Sequence, residues 1–323
     1  MRRLSGTSEQ YQSMPPDIAI VIPCYNGEAT LAATLESAIA QGDEVGIMVV
    51  DDGSSDRSLS IARRFEPRIR VLTGPNRGVS AARNRGIAAT DADWLVFLDA
   101  DDLLIPGTLK LRLKAARETN ADVIICDWEE VDDGSEVASS PPPVRTIDWA
   151  LMEEDAELAA ATSAWATTAA ILYRRSLVER IGGFRDDLPI IQDARFLFDA
   201  MSCGGKAVYS PHVGARYRVL TNSLSRRNAV RFWQDVLRNG RQIEKFWRTA
   251  GTFNDRRIEA VRGIYYGAAR GFFAAADSTY FEAHASMCAL GRSAPLHSRI
   301  AAPLARLFGL PAARTMLSLV GRA

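Results

Sequence analysis

Ile47-Met48-Val49-Val50-Asp51-Asp52-Gly53-Ser54 and Trp94-Leu95-Val96-Phe97-Leu98-Asp99-Ala100-Asp101-Asp102 share one design: an apolar run of strand length closed by a cluster of acids. A continuous apolar run bounded by turn residues fits a strand buried on both faces. In open α/β sheets ligands collect beyond the carboxyl ends of the strands, so the two clusters are expected to face one crevice. Carboxylates gathered there call for cations, and a divalent ion gripping a diphosphate satisfies that need.

Outward from these runs the same alternation continues. Ile18 to Pro23 reads as a strand, and Leu31, Leu35, Ala38 and Ile39 recur at helical spacing. After the strand ending at Asp51 comes a short helix near Leu59, Ile61 and Ala62, then a strand over Ile69 to Leu72 and a helix over Val79 to Ala89. The strand Trp94 to Asp99 leads to a helix that Pro106 opens at its first position, and Val123 to Cys126 forms a fifth strand. Strands alternating with helices of this length predict an α/β fold: a mixed, mostly parallel sheet flanked by helices, with a helical extension behind it.

The run from Val131 to Val144, containing Asp-Asp-Gly-Ser and Ser-Ser-Pro-Pro-Pro, marks a loop or boundary. Beyond it lie the apolar Ala169-Ala170-Ile171-Leu172-Tyr173, the turn Ile181-Gly182-Gly183-Phe184, and a helix beginning near Asp193 with Phe196, Leu197, Ala200 and Met201 on its apolar face. From Asn228 onward the chain reads as helix, broken into short pieces at Pro295, Pro303 and Pro311. The expected division is a loose arm over 1–16, a core domain over 17–227 with halves 17–127 and 145–227, and a helical region over 228–323.

Composition narrows the function. With 323 residues, 47% of them hydrophobic and 24% charged, the chain is of ordinary globular type. Its four cysteines, Cys24, Cys126, Cys203 and Cys288, form no Cys-x-x-Cys pair, which argues against a zinc site or a disulfide framework and for a reducing cytosol. No signal peptide or membrane-spanning run of about 18 apolar residues is expected. Zero formal net charge conceals a polarity: residues 226–323 carry 16 Lys/Arg against 6 Asp/Glu. Such asymmetry between segments points to a surface-seeking tail more readily than an overall charge does, and no nucleic-acid partner is expected.

Each chemical motif has a second reading. Asp99-Ala100-Asp101 supplies hard oxygen ligands of the kind Mg2+ and Mn2+ prefer, yet aspartates are equally at home in a turn with a helix cap. Asp51-Asp52-Gly53-Ser54-Ser55-Asp56 can cap a strand-to-helix loop, or its carboxylate can accept from a uracil or guanine ring nitrogen or a ribose hydroxyl. Tyr25 can lie along a planar base or be a half-buried amphipathic side chain. Arg83 can neutralise phosphate or pair with a surface acid.

Four segments taken together resemble family 2 of the glycosyltransferases: Val21-Ile22-Pro23-Cys24-Tyr25-Asn26-Gly27-Glu28, Val49 to Asp56, Asn76-Arg77-Gly78-Val79-Ser80-Ala81-Ala82-Arg83-Asn84, and Phe97 to Asp102. The resemblance covers about residues 17 to 227. It implies the GT-A fold, a nucleotide-sugar donor and inversion at the anomeric carbon. It assigns donor binding to Pro23, Tyr25, Glu28, Asp51, Asp52, Arg83, Asn84, Asp99 and Ala100, with Asp52 reading the base. It assigns the metal, Mn2+ or Mg2+, to Asp101 and Asp99, with Asp101 the direct ligand and Asp102 serving the loop. In Gln192-Asp193-Ala194-Arg195-Phe196, Asp193 matches the family's catalytic base, and a helix N-terminus would keep it ionised; its other reading is an ordinary N-terminal acid.

Departures from the family pattern are informative. Many members carry a histidine before Ser-Leu-Ser, where this chain has Leu220 before Thr221-Asn222-Ser223-Leu224-Ser225. Closure over the diphosphate then falls to Arg218, Ser223, Arg226 or His212. The chain has no Gln-x-x-Arg-Trp motif, which argues against processive polymerisation. In the tail, Arg292, Arg299, Arg306, Arg314 and Arg322 accompany Ile300, Leu304, Leu307, Phe308, Met316, Leu317 and Val320. Two readings stay open there: a basic amphipathic helix on an anionic membrane, or a helix packed on the catalytic domain.

The expected function is transfer of a single sugar from a UDP- or GDP-linked donor to a lipid-linked or polysaccharide acceptor, on the cytoplasmic face of the inner membrane. The alternatives are a glycosidase, a nucleotidyltransferase, for which no glycine-rich phosphate loop is present, and an inactive nucleotide-sugar-binding scaffold at the membrane.

Overall fold

The computed structural model describes residues 16–132, 142–220, 224–291 and 295–319. The expectations for the N-terminal arm, most of the loop between Val131 and Val144, Ser223, Arg292, Val320 and Arg322 lie outside the described residues.

The first half builds β1 (Ile18–Cys24), α1 (Leu31–Ile39), β2 (Val45–Asp51), α2 (Ser58–Arg63), β3 (Arg70–Thr73), α3 (Val79–Ala88) and β4 (Trp94–Phe97). β1 is buried along its whole length because sheet covers both edges and helices both faces. β3, β2, β1 and β4 run parallel in that spatial order, so the chain segments after Cys24, Asp51 and Phe97 all emerge at one end of the sheet. α3 lies close against β1: a Cβ on Gly86 would meet Val21 Cγ1 at 2.3 Å, so only glycine fits there.

After β4 come β5 (Leu103–Leu104), α4 (Thr108–Thr119) and β6 (Val123–Asp132). Pro106 therefore stands in the turn before α4, which starts two residues later than expected, behind Gly107. β7 (Val144–Arg145), α5 (Trp149–Glu154) and α6 (Ala156–Thr162) follow, then a 3₁₀ turn over Thr168–Ala170, β8 (Ile171–Arg174), α7 (Arg175–Ile181), α8 (Gln192–Ser202) and β9 (Ala207–Val219). β8 inserts antiparallel between β4 and β6, and β9 pairs parallel with β6, giving the spatial order β3-β2-β1-β4-β8-β6-β9-β5 in a mixed sheet. β9 contains a proline, which an interior strand resists. The ladder accommodates it with a bulge: Cys126 faces Ser210 while Asp127 faces Val213, so Pro211 and His212 stand outside the register.

The tail forms α9 (Leu224–Arg227), α10 (Ala229–Thr249), α11 (Asp255–Ala274), α12 (Thr279–Ala289), α13 (Leu296–Phe308) and α14 (Leu310–Leu319). Pro303 does not break α13, contrary to expectation. It lies on the exposed face, where water can satisfy the carbonyl that its missing N–H leaves free. A second buried cluster joins α10 to α14 and reaches the sheet domain through Leu158 of α6 and Phe198 of α8. Trp247 seals this contact, its indole N–H donating to Glu157 Oε2 at 2.8 Å.

Candidate active site

Three loops leave the sheet at the ends of β1, β2 and β4 and are laced together by hydrogen bonds. The N–H groups of Asn26, Gly27 and Glu28 donate to Ser54 Oγ, Ser58 Oγ and Asp56 Oδ2 at 3.0, 2.8 and 3.0 Å. Thr30 and Thr34 hydroxyls donate to the Ala100 carbonyl at 2.8 and 3.0 Å, which fixes the Asp99–Asp101 turn against α1. Gly53, at φ +78°, keeps the β2 exit tight: a Cβ there would lie 2.9 Å from the Asn76 nitrogen.

The acids at these strand ends have distinct surroundings. Asp51 is buried and accepts from the Thr73 hydroxyl at 3.0 Å, bracing β2 to β3. Asp52, also buried, accepts from Arg77 N–H at 3.0 Å and Gly78 N–H at 2.7 Å, and so shapes the entrance to α3. Asp102 accepts from Thr167 Oγ1 at 2.9 Å and from Arg218 N–H at 3.0 Å; burial and the nearby Asp101 and Asp99 hold its carboxyl well above the usual range. It serves the loop, as expected. Asp101 is pushed up to about 6, by burial first and by Asp99 second, with Arg218 and Arg83 pulling the other way.

Arg83 is the hub. Far from being a surface residue, it is fully buried, and its Nη2 pairs with Asp99 while Nη1 donates to Gln192 Oε1 at 2.6 Å. Its guanidinium lies over the Phe184 ring, 5.0 Å from the centroid. One side chain therefore ties the acidic turn after β4 to the first residue of α8, the helix that carries Asp193. Burial raises the Asp193 carboxyl, Asp99 adds to the rise, and Arg83 and the Ala194 N–H oppose it. Desolvation therefore outweighs the pull of the helix N-terminus on this carboxyl. Asp193 borders a cavity of ≈ 10 Å³, walled by Phe97, Thr168, Tyr173, Phe184 and Phe196 among others, with room for about one water.

Other expected donor residues take different places. Tyr25 is 55% exposed at the rim of the loops, free to meet a planar base. Pro23 is buried in β1, beyond the point where pairing with β4 has ended. Glu28 is exposed and paired with Arg57 Nε at 3.1 Å. Asn84 is occupied on both sides: it donates to the Phe184 carbonyl at 2.9 Å and accepts from the Phe184 N–H at 2.8 Å, so its side chain pins the 183–185 loop. His212 is set apart in the β9 bulge, between Ser210, Arg112 and Asp127. Leu220 has Arg226 near it, whose Nη1 donates to its carbonyl at 3.4 Å. Arg218 stands close enough to Asp101 to lower its carboxyl.

Sequence reading gave no role to Tyr217, whose phenol is pushed up to about 12 by burial and then by Asp102, Asp101, Asp193 and Asp99. Four carboxylates thus act on a single ring. Phe184, Gln192, Trp165 and Thr168 were missed as well. Period-2 alternation through Ala215-Arg216-Tyr217-Arg218 was the available signal for Tyr217.

Comparison with known proteins identifies the family and the fold. The family model described as glycosyl transferase family 2 matches residues 19–182, and the chain belongs to that family. The chain is 31% identical over 221 residues to the succinoglycan biosynthesis protein ExoO of Rhizobium meliloti (strain 1021), a match covering 65% of this chain and 63% of that protein. It is 28% identical to the putative glycosyltransferase EpsH of Bacillus subtilis (strain 168), over 69% of this chain and 66% of the relative. The chain thus spans somewhat under two thirds of these relatives' length. Among solved structures, S. aureus TarS 1–349 in complex with UDP-GlcNAc superposes with a TM-score of 0.65 at 17% identity, covering 95% of this chain and 92% of the other. The mannosyltransferase PcManGT from Pyrobaculum calidifontis, in complex with GDP-Man and Mn2+, gives 0.56 at 19% identity, over 96% and 89%. The fold is GT-A-like, with a helical C-terminal region.

Proposed function

We propose that the protein moves one sugar, with inversion, from a uridine- or guanosine-linked nucleoside diphosphate sugar to a hydroxyl of a lipid-linked or saccharide acceptor in cell-surface glycan synthesis. The observation that carries this reading is Arg83, which ties Asp99 of the acidic turn to the start of the helix bearing Asp193. Leaving group and base must lie on opposite sides of the sugar for in-line attack, and this linkage fixes the two acids relative to each other. The relatives' names, one of them for succinoglycan biosynthesis, and the neighbours in complex with UDP-GlcNAc and GDP-Man support the substrate class.

The donor would lie across the ends of β1, β2 and β4, with Tyr25 against the base and the Asp52-braced turn of Arg77 and Gly78 beside it. Among the described residues no group of three His, Cys, Asp or Glu forms a metal cage. Asp99 and Asp101 still fit a hard divalent ion, because such an ion takes one or two carboxylates and fills its remaining positions with phosphate oxygens and water. Burial lifts the Asp101 carboxyl first and repulsion by Asp99 second, and the second is a charge excess such an ion would relieve. When bound, Mn2+ or Mg2+ neutralises the departing diphosphate. Asp193 accepts the acceptor hydroxyl's proton as the new O–C1 bond forms and the C1–O bond to diphosphate breaks, and a carboxyl raised by burial is the stronger base. Arg218 would replace the missing histidine in steadying that diphosphate.

A thermal-shift panel of UDP-glucose, UDP-galactose, UDP-GlcNAc and GDP-mannose, each with and without Mn2+, tests the reading before an acceptor is known. At least one donor is expected to raise the midpoint only with Mn2+. No response from any of them would remove the donor and metal assignments together.

The same reading takes 17–227 as the catalytic domain, split into a donor half (17–127) and an acceptor half (145–227), and 228–323 as a helical region docked on the cytoplasmic face of a membrane. In support, α13 and α14 bury Ala301, Ala305, Ala313 and Leu317 inward while leaving Leu307, Phe308, Met316 and Leu319 exposed beside Arg299 and Arg306. Inward packing and an exposed apolar surface therefore coexist on one helix pair. No helix among the described residues is long and apolar enough to cross a bilayer. Co-sedimentation with phosphatidylglycerol vesicles, and its loss in Leu307→Glu, is the expected result; equal sedimentation of the variant would refute the docking surface.

A further inference from the structure

Trp165 is an unusual residue to leave in the open. It is 41% exposed, yet its indole is held by edge-to-face contacts with Trp128 at 5.8 Å and Tyr217 at 5.6 Å. A rigid, partly exposed indole loses little conformational freedom on binding and presents an apolar face with a polar handle, a combination enriched at recognition sites.

Its position is defined through four neighbours. Tyr217, whose ring Trp165 touches, directly precedes Arg218, whose N–H donates to Asp102 of the acidic turn. Ala164 and Ala166, on either side of Trp165 in the chain, line the small cavity that Asp193 borders. Thr167 donates its hydroxyl to Asp102, anchoring the segment to the acidic turn.

Thr168 supplies a second, independent observation. It is 6% exposed, its Oγ1 has no hydrogen-bond partner among the described residues, and it lines the same cavity as Asp193. An unpartnered buried hydroxyl costs stability unless something else bonds to it. The cavity of ≈ 10 Å³ is far too small for a sugar ring and large enough for one hydroxyl or water.

We infer that residues 165–168 form the acceptor subsite: the C–H face of an acceptor pyranose packs on Trp165 outside the cavity, and the attacking hydroxyl enters it to meet Thr168 Oγ1 and Asp193. This rests on the transferase reading above and adds a chemical class to it, an acceptor whose terminal unit is a sugar ring rather than a bare lipid phosphate or polyol. An indole suits the alternating C–H and hydroxyl faces of a pyranose. Thr168 acts as a positioning residue for the hydroxyl, and Trp165 as a binding residue.

The test uses the full chain and three probes, the 4-nitrophenyl β-glycosides of glucose, galactose and N-acetylglucosamine. Saturation-transfer NMR is expected to show contact with the ring C–H protons of at least one in the wild type, without donor present. Trp165→Ala should weaken that probe about tenfold or more, and Trp165→Phe should restore binding to within about threefold. Thr168→Val should lower kcat for transfer to the same probe while leaving its affinity within about twofold. The Mn2+-dependent donor shift should be unchanged in all three variants, which separates failure of the acceptor subsite from failure of the transferase reading and also reports that the variants are folded. No contact with any probe in the wild type, or unaltered affinity in Trp165→Ala, would overturn the inference.

Discussion

Asp51 and Asp52 stand at the end of the second strand with their carboxylates fastened to Thr73, Arg77 and Gly78, whereas the carboxyls of Asp101 and Asp193 are raised by burial first, with Asp99 adding to both and Arg83 opposing both. All four are shielded from solvent to some degree. The first pair is satisfied, and its acids act as braces that shape loops. The second pair is under-compensated, and its carboxyls are lifted by desolvation and, to a lesser degree, by repulsion from Asp99. Under-compensated acids are costly to hold, and sites of chemistry are where such cost recurs. In the proposed reaction the contrast gives shape to the first pair and reactivity to the second.

The sharpest way to break that contrast is Asp193→Asn. Removing the base should reduce turnover by about 10²- to 10⁴-fold, with the donor-induced thermal shift intact. The pH profile carries the sign. Asp193 acts ionised, and its carboxyl lies above the ordinary range, so wild-type kcat/KM should fall as pH drops through that raised value. In Asp193→Asn the residual rate should lose that acidic limb. Full turnover in the variant, or an unchanged limb, would move the base elsewhere.

This division was only half legible in the sequence. The strand ends were, because apolar runs closed by Asp51-Asp52 and Asp99-Ala100-Asp101 leave little choice of fold, and β1, β2 and β4 fall within a residue or two of expectation. Arg83 was legible as a residue and not as a hub, since nothing local shows that it reaches Gln192, 109 positions away. Asn84 beside it points to Phe184 instead, a contact equally remote in the chain. The long β9 was missed for a local reason: Pro211 interrupts the pattern, and only a bulge against β6 allows the strand to continue. Trp165 gave no periodic signal, lying in an irregular segment between α6 and the 3₁₀ turn. Local pattern reports burial and element type; the meeting of distant polar side chains comes from topology.

A smaller effect, on stability, sharpens the same contrast by its sign. In metal-free buffer Asp101→Asn should stabilise the protein at pH 7.5, because the wild-type carboxyl, raised from 3.8 to about 6, binds its proton more tightly folded than unfolded. Folded-state stability then declines as pH climbs from about 4 through 6, by about 3 kcal/mol at most once the carboxylate is fully ionised. Asparagine keeps the shape and removes that loss, so the gain should be present at pH 7.5 and absent at pH 4. Asp52→Asn should do the reverse. Its amide turns an N–H group toward the Arg77 and Gly78 donors, and a loss of about 1–3 kcal/mol should follow at neutral pH. Urea denaturation of both variants with EDTA present measures the pair. Mn2+ should then narrow the gap between wild type and Asp101→Asn, since only the wild type keeps both carboxylates for the ion and binding to the folded state adds stability. Equal destabilisation by the two substitutions would mean that Asp101 is a brace like Asp52, and the distinction between the two pairs of acids would be lost.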